Sequence, residues 1–145
     1  MNILFFLTPK AKCAYLRAED SLRQAMERMD HAGFMALPIL AADGSYCGTL
    51  TEGDLLRAFR DLALMDMRQA EKHNIMECTI RREVNAVPVT TQITDLLNTA
   101  IDQNFVPVVD DKNAFIGIVT RRVILQYCLE RYIQSESDTR KSEAS

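Results

Sequence analysis

The stretch Leu37-Pro38-Ile39-Leu40 returns as Val106-Pro107-Val108-Val109, and the agreement runs on downstream at one fixed spacing. Pro38 and Pro107, Gly48 and Gly117, and Thr51 and Thr120 all stand 69 residues apart. Three coincidences at one offset mark a duplication, so the fold must be one that two copies of a short unit build together. Upstream of the prolines, Leu22, Ala25, Met26 and Met29 match Ile93, Leu96, Leu97 and Ala100 at an offset of 71. The second copy is therefore two residues shorter between its helix and its strand.

Each copy reads alike. A short extended piece, Cys13–Leu16 or Asn85–Val87, precedes an amphipathic helix with a capping signal: Asp20 or Ser21 in the first copy, Thr91 or Thr94 in the second. The proline-containing apolar run follows, then a turn (Asp43-Gly44; Asp110–Asn113) and a second run, Gly48-Thr49-Leu50 or Gly117-Ile118-Val119. After the threonine a second helix is expected, carrying Leu55, Leu56, Phe59, Leu62 and Ala63, or Val123, Ile124, Tyr127 and Cys128. The unit is β-α-β-β-α, and the fold class is mixed α/β (α+β) with pseudo-twofold symmetry. Pro38 and Pro107 lack the amide a ladder uses, so they belong at strand starts or exposed edges, where free backbone groups face a ligand.

These residues carry a resemblance to a known family. Gly33-Phe34-Met35-Ala36-Leu37-Pro38-Ile39-Leu40 and Gly48-Thr49-Leu50-Thr51-Glu52-Gly53-Asp54-Leu55 resemble the apolar-Pro strand and the Gly-apolar-apolar-Thr-x-x-Asp signature of cystathionine-β-synthase (CBS) domains, here in tandem over roughly residues 10 to 132. The second copy keeps Gly117-Ile118-Val119-Thr120 but has Val123 in place of the aspartate. The resemblance implies a ribose on Asp54, with Thr51 and its counterpart Thr120 near ribose or phosphate, and an adenine slot made by Ala14, Tyr15, Ala36 and Leu37 next to Pro38. It also implies a homodimer. The segments Lys12–Tyr15, Phe34–Pro38 and Thr120-Arg121-Arg122 further resemble stand-alone two-CBS cyclic-di-AMP receptors of Gram-positive bacteria. That implies ligand contacts from Lys12, Ala14, Met35, Ala36, Arg121 and Arg122. The intact motif at Asp54 suits AMP, ADP or ATP equally.

Read from the residues alone, Asp54 is also a plain first-turn acid of a helix, and Arg121 and Arg122 form a pair of forked donors suited to phosphate. The preferred expectation is one asymmetric site, with Arg121 or Arg122 reaching a phosphate on a nucleotide held by Asp54.

Composition bounds the alternatives. With 145 residues, 48% hydrophobic and 26% charged, the chain can bury a sizeable core. A net charge of −3 and a pI near 5.4 argue against a nucleic-acid duplex or an anionic membrane as partner. Met1–Leu7 is too short, and lacks the preceding basic residue, for a signal peptide; it is expected to pack on the module or on a second subunit. No run approaches the roughly 20 apolar residues of a membrane span. Cys13, Cys47, Cys78 and Cys128 lie far apart with only His31 and His73 to assist, so neither metal nor disulfide is expected, and a cytoplasmic location is.

No local nucleophile–base or paired-carboxylate signature is present, so the protein is expected not to be an enzyme and to have no cofactor. The expectation is a regulatory sensor that binds cyclic-di-AMP, or AMP, ADP or ATP, between the copies and signals to a protein effector in trans. A ligand-free CBS scaffold for association is the alternative, with a nucleotide-processing enzyme behind it. Expected boundaries are residues 1–72 for the N-terminal segment and first repeat, 73–134 for the second repeat, and 135–145 for a disordered tail. Leu62, Leu64, Met65, Met67, Phe5 and Phe6 are candidates for a partner surface or ordinary core.

Overall fold

The computed structural model describes residues 2–80 and 84–144. The first repeat comprises β2 (Leu16–Arg17), α1 (Leu22–Ala32), β3 (Ala36–Leu40), β4 (Tyr46–Thr51) and α2 (Glu52–Asp61). The second comprises β5 (Val87–Pro88), α4 (Ile93–Asp102), β6 (Phe105–Val109), β7 (Phe115–Thr120) and α5 (Arg121–Ala144). The duplicated β-α-β-β-α unit is present as expected, with α3 (Met67–Glu71) between the copies and β1 (Thr8–Pro9) ahead of them.

Both hairpins have the same register. Pro38 lies opposite Thr49 as Pro107 lies opposite Ile118, and the parallel strand on the other side begins only at Ile39 or Val108. Each proline is thus mid-strand, not at a strand start. A proline has no N–H to exchange, so the Pro38–Thr49 and Ala36–Thr51 pairs are non-hydrogen-bonded, and the polar backbone groups of Ala36 and Pro38 turn away from β4. On that outer side β2 begins only opposite Ile39, so it covers Pro38 and leaves Ala36 open.

The two repeats are not independent along the chain. A 3-10 turn at Ile3–Phe6 places Ile3 and Phe6 in the core of the second repeat, and β1 adds to β7 with Thr8 opposite Ile118. Ala70 and Ile75, ahead of the second repeat, are buried in the core of the first. Asn2 and Asn74 begin these two leaders alike, each side chain accepting from a backbone N–H two residues on. Each repeat therefore lends its leader to the other, and a division at residue 72 separates the sequence copies but not the cores. Gly117 permits the crossing: a Cβ there would collide with the Thr8 carbonyl. The repeats also join at their hairpin tips, where Phe115 N–H donates to the Gly44 carbonyl and Tyr46 N–H to the Asn113 carbonyl, both at 3.0 Å.

Helix ends account for the register slip. Ser21 caps α1 in a reciprocal box with Gln24, and Gly33 in the left-handed region (φ 70°) closes it. The second copy lacks two residues here and has no such glycine; instead Arg121 reaches back from α5, Nε to the Ala100 carbonyl at 3.0 Å and Nη2 to the Ile101 carbonyl at 3.1 Å. Neither Thr91 nor Thr94 caps α4, whose N-cap position is Gln92 with no side-chain bond.

Other expectations need correction. Helix α2 stops at Asp61 because Leu62 ends it and Ala63 turns left-handed (φ 52°), so Leu62 and Ala63 are not helical. Phe6 and Leu64 pack on the cores, whereas Phe5 and Met65 are exposed. Cys128, expected on an apolar face, is exposed. Helix α5 runs on to Ala144 where disorder was expected from 135: no glycine or proline follows Gly117, and Glu136 bonds to Tyr132 and pairs with Arg140 one turn either way.

Candidate functional site: two clefts between the repeats

The two open strand edges face each other across the pseudo-twofold axis and bound two clefts, with Ala36 and Phe105 walling both. The first is a slot of about 100 Å³. One side is Lys12, Ala14, Phe34 and Ala36–Pro38; the other is Phe105, Ile118 and Thr120 from the second repeat, with Thr8 from the crossing leader. The second, about 340 Å³, sets Val84, Gln103, Asn104 and Phe105 of the second repeat against Thr51 of the first, with Arg121 at its wall.

Each cleft thus joins the strand edge of one repeat to the helix-start threonine of the other. The expected pairing, with Asp54 serving the slot of its own repeat, is not the arrangement formed. Six expected residues meet in the first cleft: Lys12, Ala14, Ala36, Leu37, Pro38 and Thr120. Thr51 and Arg121 line the second. Tyr15 lies outside both, packed in the central cluster with Leu40 and Phe115 and lining a separate polar groove beside Lys10. Met35 is 66% exposed and lines neither, and Arg122 is exposed on the outer turn of α5.

Asp54 lines neither cleft. It is 1% exposed, and both carboxylate oxygens are engaged: Oδ2 accepts the Thr51 N–H at 3.0 Å and Oδ1 the Arg57 Nη2 at 2.6 Å. Thr51 Oγ1 in return accepts the Asp54 N–H, completing a capping box. The plain reading of the Thr-x-x-Asp spacing, a helix start, is what the geometry shows. At Thr120 the hydroxyl likewise accepts from Val123 N–H at 3.2 Å, and Val123 supplies no return bond.

The first cleft is narrow and mostly apolar. Its walls are small or apolar, and the Ala14 amide and carbonyl have no hydrogen bond among the described residues. That segment is held rigidly just downstream: Arg28 Nη1 donates to the Tyr15 carbonyl at 2.9 Å, and Asp20 accepts the Arg17 N–H at 2.8 Å. Cys13 lies in the wall with its thiol directed at the Thr8 and Pro9 carbonyls, and burial pushes its pKa up, against a smaller lowering by a bond to the Ile118 backbone. Phe34, Thr8, Phe105 and Gln103 were not singled out from sequence. The offset of 69 was the available signal for Phe105, since it equates that residue with Ala36.

Among known proteins, the CBS domain family matches residues 7–61 and 75–130. The chain is 22% identical over 130 residues to cyclic di-AMP receptor B of Bacillus subtilis (strain 168), covering 90% of this chain and 87% of that protein. Its fold is similar to CbpB crystallised in complex with c-di-AMP (TM-score 0.81, 19% identity, 96% of this chain and 91% of that one). It is likewise similar to Listeria monocytogenes CbpB with c-di-AMP (0.78, 22%, 91% and 97%) and to CBSX2 in complex with AMP (0.70, 22%, 90% and 98%). With both repeats matched and the duplicated unit folded as that family folds, the chain belongs to the CBS-domain family as a tandem pair.

Proposed function

We propose that this protein is a non-catalytic regulatory receptor that binds an adenine nucleotide, cyclic-di-AMP in preference to AMP, ADP or ATP, in the cleft between its two repeats. The observation that carries the reading is the first cleft itself. Ala14 and the outer edge of Ala36, which β2 does not reach, offer backbone donors and acceptors to a base edge inside a narrow apolar slot, with exposed Lys12 in its lining for phosphate. The relatives crystallised with c-di-AMP support the dinucleotide. Asp54 favours it too: a mononucleotide site built on that carboxylate would have to pull it from Arg57 and from the α2 cap. Cys13 is a poor candidate nucleophile, since its thiol is held protonated and tied to carbonyls.

Ligand binding acts on a partner by shifting how the repeats pack, which requires different affinities for two states. The protein works in the cytoplasm as a homodimer, with the apolar groove of about 390 Å³ between α1 and α2, lined by Met26, Leu55, Leu56 and Phe59, as the associating surface. Sedimentation showing only monomer at tens of micromolar counts against the dimer.

A thermal-shift screen with cyclic-di-AMP, AMP, ADP, ATP and cyclic-di-GMP tests the ligand. Saturation at one hundred times the dissociation constant raises stability by about 2.7 kcal/mol. A shift with cyclic-di-AMP supports the reading, a shift with AMP or ATP alone moves it to an energy sensor, and no shift with any of them favours a ligand-free scaffold.

A further inference from the structure

We infer that Gln103 occupies the base-reading edge of the second cleft, so that the protein takes one nucleotide ligand per chain, with a base read in the first cleft only. The inference deepens the nucleotide reading above and rests on it. The ladder registers fix the equivalences: Leu16 pairs with Ile39 as Val87 pairs with Val108, which makes Asn85 the counterpart of Ala14 and Phe105 that of Ala36. In the first cleft those backbone groups are open. In the second they are taken: Gln103 Oε1 accepts the Asn85 N–H at 2.9 Å, while Nε2 donates to the Asn85 and Phe105 carbonyls, both at 3.2 Å.

A carboxamide sets an acceptor beside a donor, the same pairing that adenine presents through a ring nitrogen and its exocyclic amine. Gln103 therefore makes, from within the chain, the contacts a base would make. It is 8% exposed and both amide hydrogens are used, so a base entering here must break three hydrogen bonds and leave a carboxamide buried without partners. At the equivalent position the first repeat has Phe34, whose ring lines the slot and which has no polar group to close it. The shorter connection after α4 places Gln103 at the helix end, directly before β6. One substitution and one deletion thus distinguish a closed cleft from an open one.

The test is backbone and side-chain amide NMR together with calorimetric stoichiometry, using cyclic-di-AMP and AMP as separate titrants. The expected result is one ligand per chain, with shifts at Ala14 and Ala36, and with the Asn85 amide and the Gln103 side-chain amide unmoved. Gln103→Ala is then expected to bind two ligands per chain, the second shifting Asn85 and Phe105. Wild-type shifts at both Ala14 and Asn85, or a single ligand still bound by a folded Gln103→Ala protein, would overturn the inference while leaving the nucleotide reading intact. Silence at every amide with both titrants removes the nucleotide reading and this inference with it. Where Gln103→Ala fails to fold, the wild-type pattern alone decides.

Discussion

Replacing Asp54 with alanine is expected to destabilise the fold and to leave nucleotide affinity within about threefold of wild type, a change worth less than 1 kcal/mol. The magnitude follows from its partners. The substitution removes a carboxylate bond to the Thr51 N–H and a 2.6 Å bond from Arg57. Hydrogen bonds to charged groups contribute about 1.5–3 kcal/mol each, and a first-turn acid adds about 0.3–1 kcal/mol against the helix dipole. Breaking a fully buried ion pair costs about 3–5 kcal/mol. Arg57 is 27% exposed and regains part of its hydration, although its Nε is buried with no partner among the described residues even in the intact protein. The bonds share one carboxylate and do not add in full, so the expected loss is about 2–4 kcal/mol. Asp54→Asn keeps the acceptor for Thr51 and is expected to lose about half as much. Urea unfolding at 25 °C reads the loss as a lower midpoint at unchanged slope. An Asp54→Ala protein as stable as wild type but unable to bind cyclic-di-AMP would refute the reasoning, because it would place the carboxylate in the site and not in the helix cap.

Gly117→Ala is expected to cost about 1–3 kcal/mol more than Gly48→Ala in the same assay. Both share a positive φ, but the Gly117 Cβ meets the Thr8 carbonyl whereas the Gly48 Cβ meets only the tip of Ile80 at 3.6 Å. Arg121→Met removes two bonds to the last carbonyls of α4 and is expected to lower stability by about 1–3 kcal/mol even without ligand, visible as faster amide exchange at the end of α4. Alkylation with iodoacetamide at pH 8 is expected to label exposed Cys47 and Cys128 first and Cys78 last. Burial, then the negative charges of Asp54 and Glu77, push the Cys78 pKa up to about 11. Its thiolate fraction, and so its labelling rate, keeps rising by about tenfold per pH unit from 8 to 10; a Cys78 as fast as Cys47 at pH 8 contradicts the burial seen here.

The duplication was legible because strand pairing and core packing constrain the same positions in both copies: Pro38 and Pro107, Gly48 and Gly117, Thr51 and Thr120. The resemblance to CBS domains, and not the duplication, pointed to Ala14 and Ala36, two local segments that line one cleft. Which threonine faces which slot was not legible, because that pairing depends on the pseudo-twofold axis between the repeats and on no local spacing. The fate of Asp54 had the same cause: a Thr-x-x-Asp spacing serves a capping box and a ribose site alike, and only the position of Arg57 decides. The exchange of leaders left one faint trace, Asn2-Ile3 against Asn74-Ile75, too short to weigh without the cores into which Ile3 and Ile75 are buried. The length of α5 was misjudged because a polar segment without helix breakers carries no apolar stripe to announce it. Gln103 was hidden by the slip in register, which sets it after a helix counted at one offset and before a strand counted at another.

The most direct test of the central claim is calorimetric titration of the purified protein with cyclic-di-AMP, beside Lys12→Met and Ala14→Leu variants. Lys12 is exposed, so its loss removes the proposed phosphate contact with little effect on folding; the leucine fills a slot of only about 100 Å³. Saturable binding by the wild type, weakened about tenfold or more by Lys12→Met and abolished by Ala14→Leu in a protein that still unfolds cooperatively, is the predicted result. Wild-type binding unchanged in both variants would place the nucleotide outside this cleft and contradict the account.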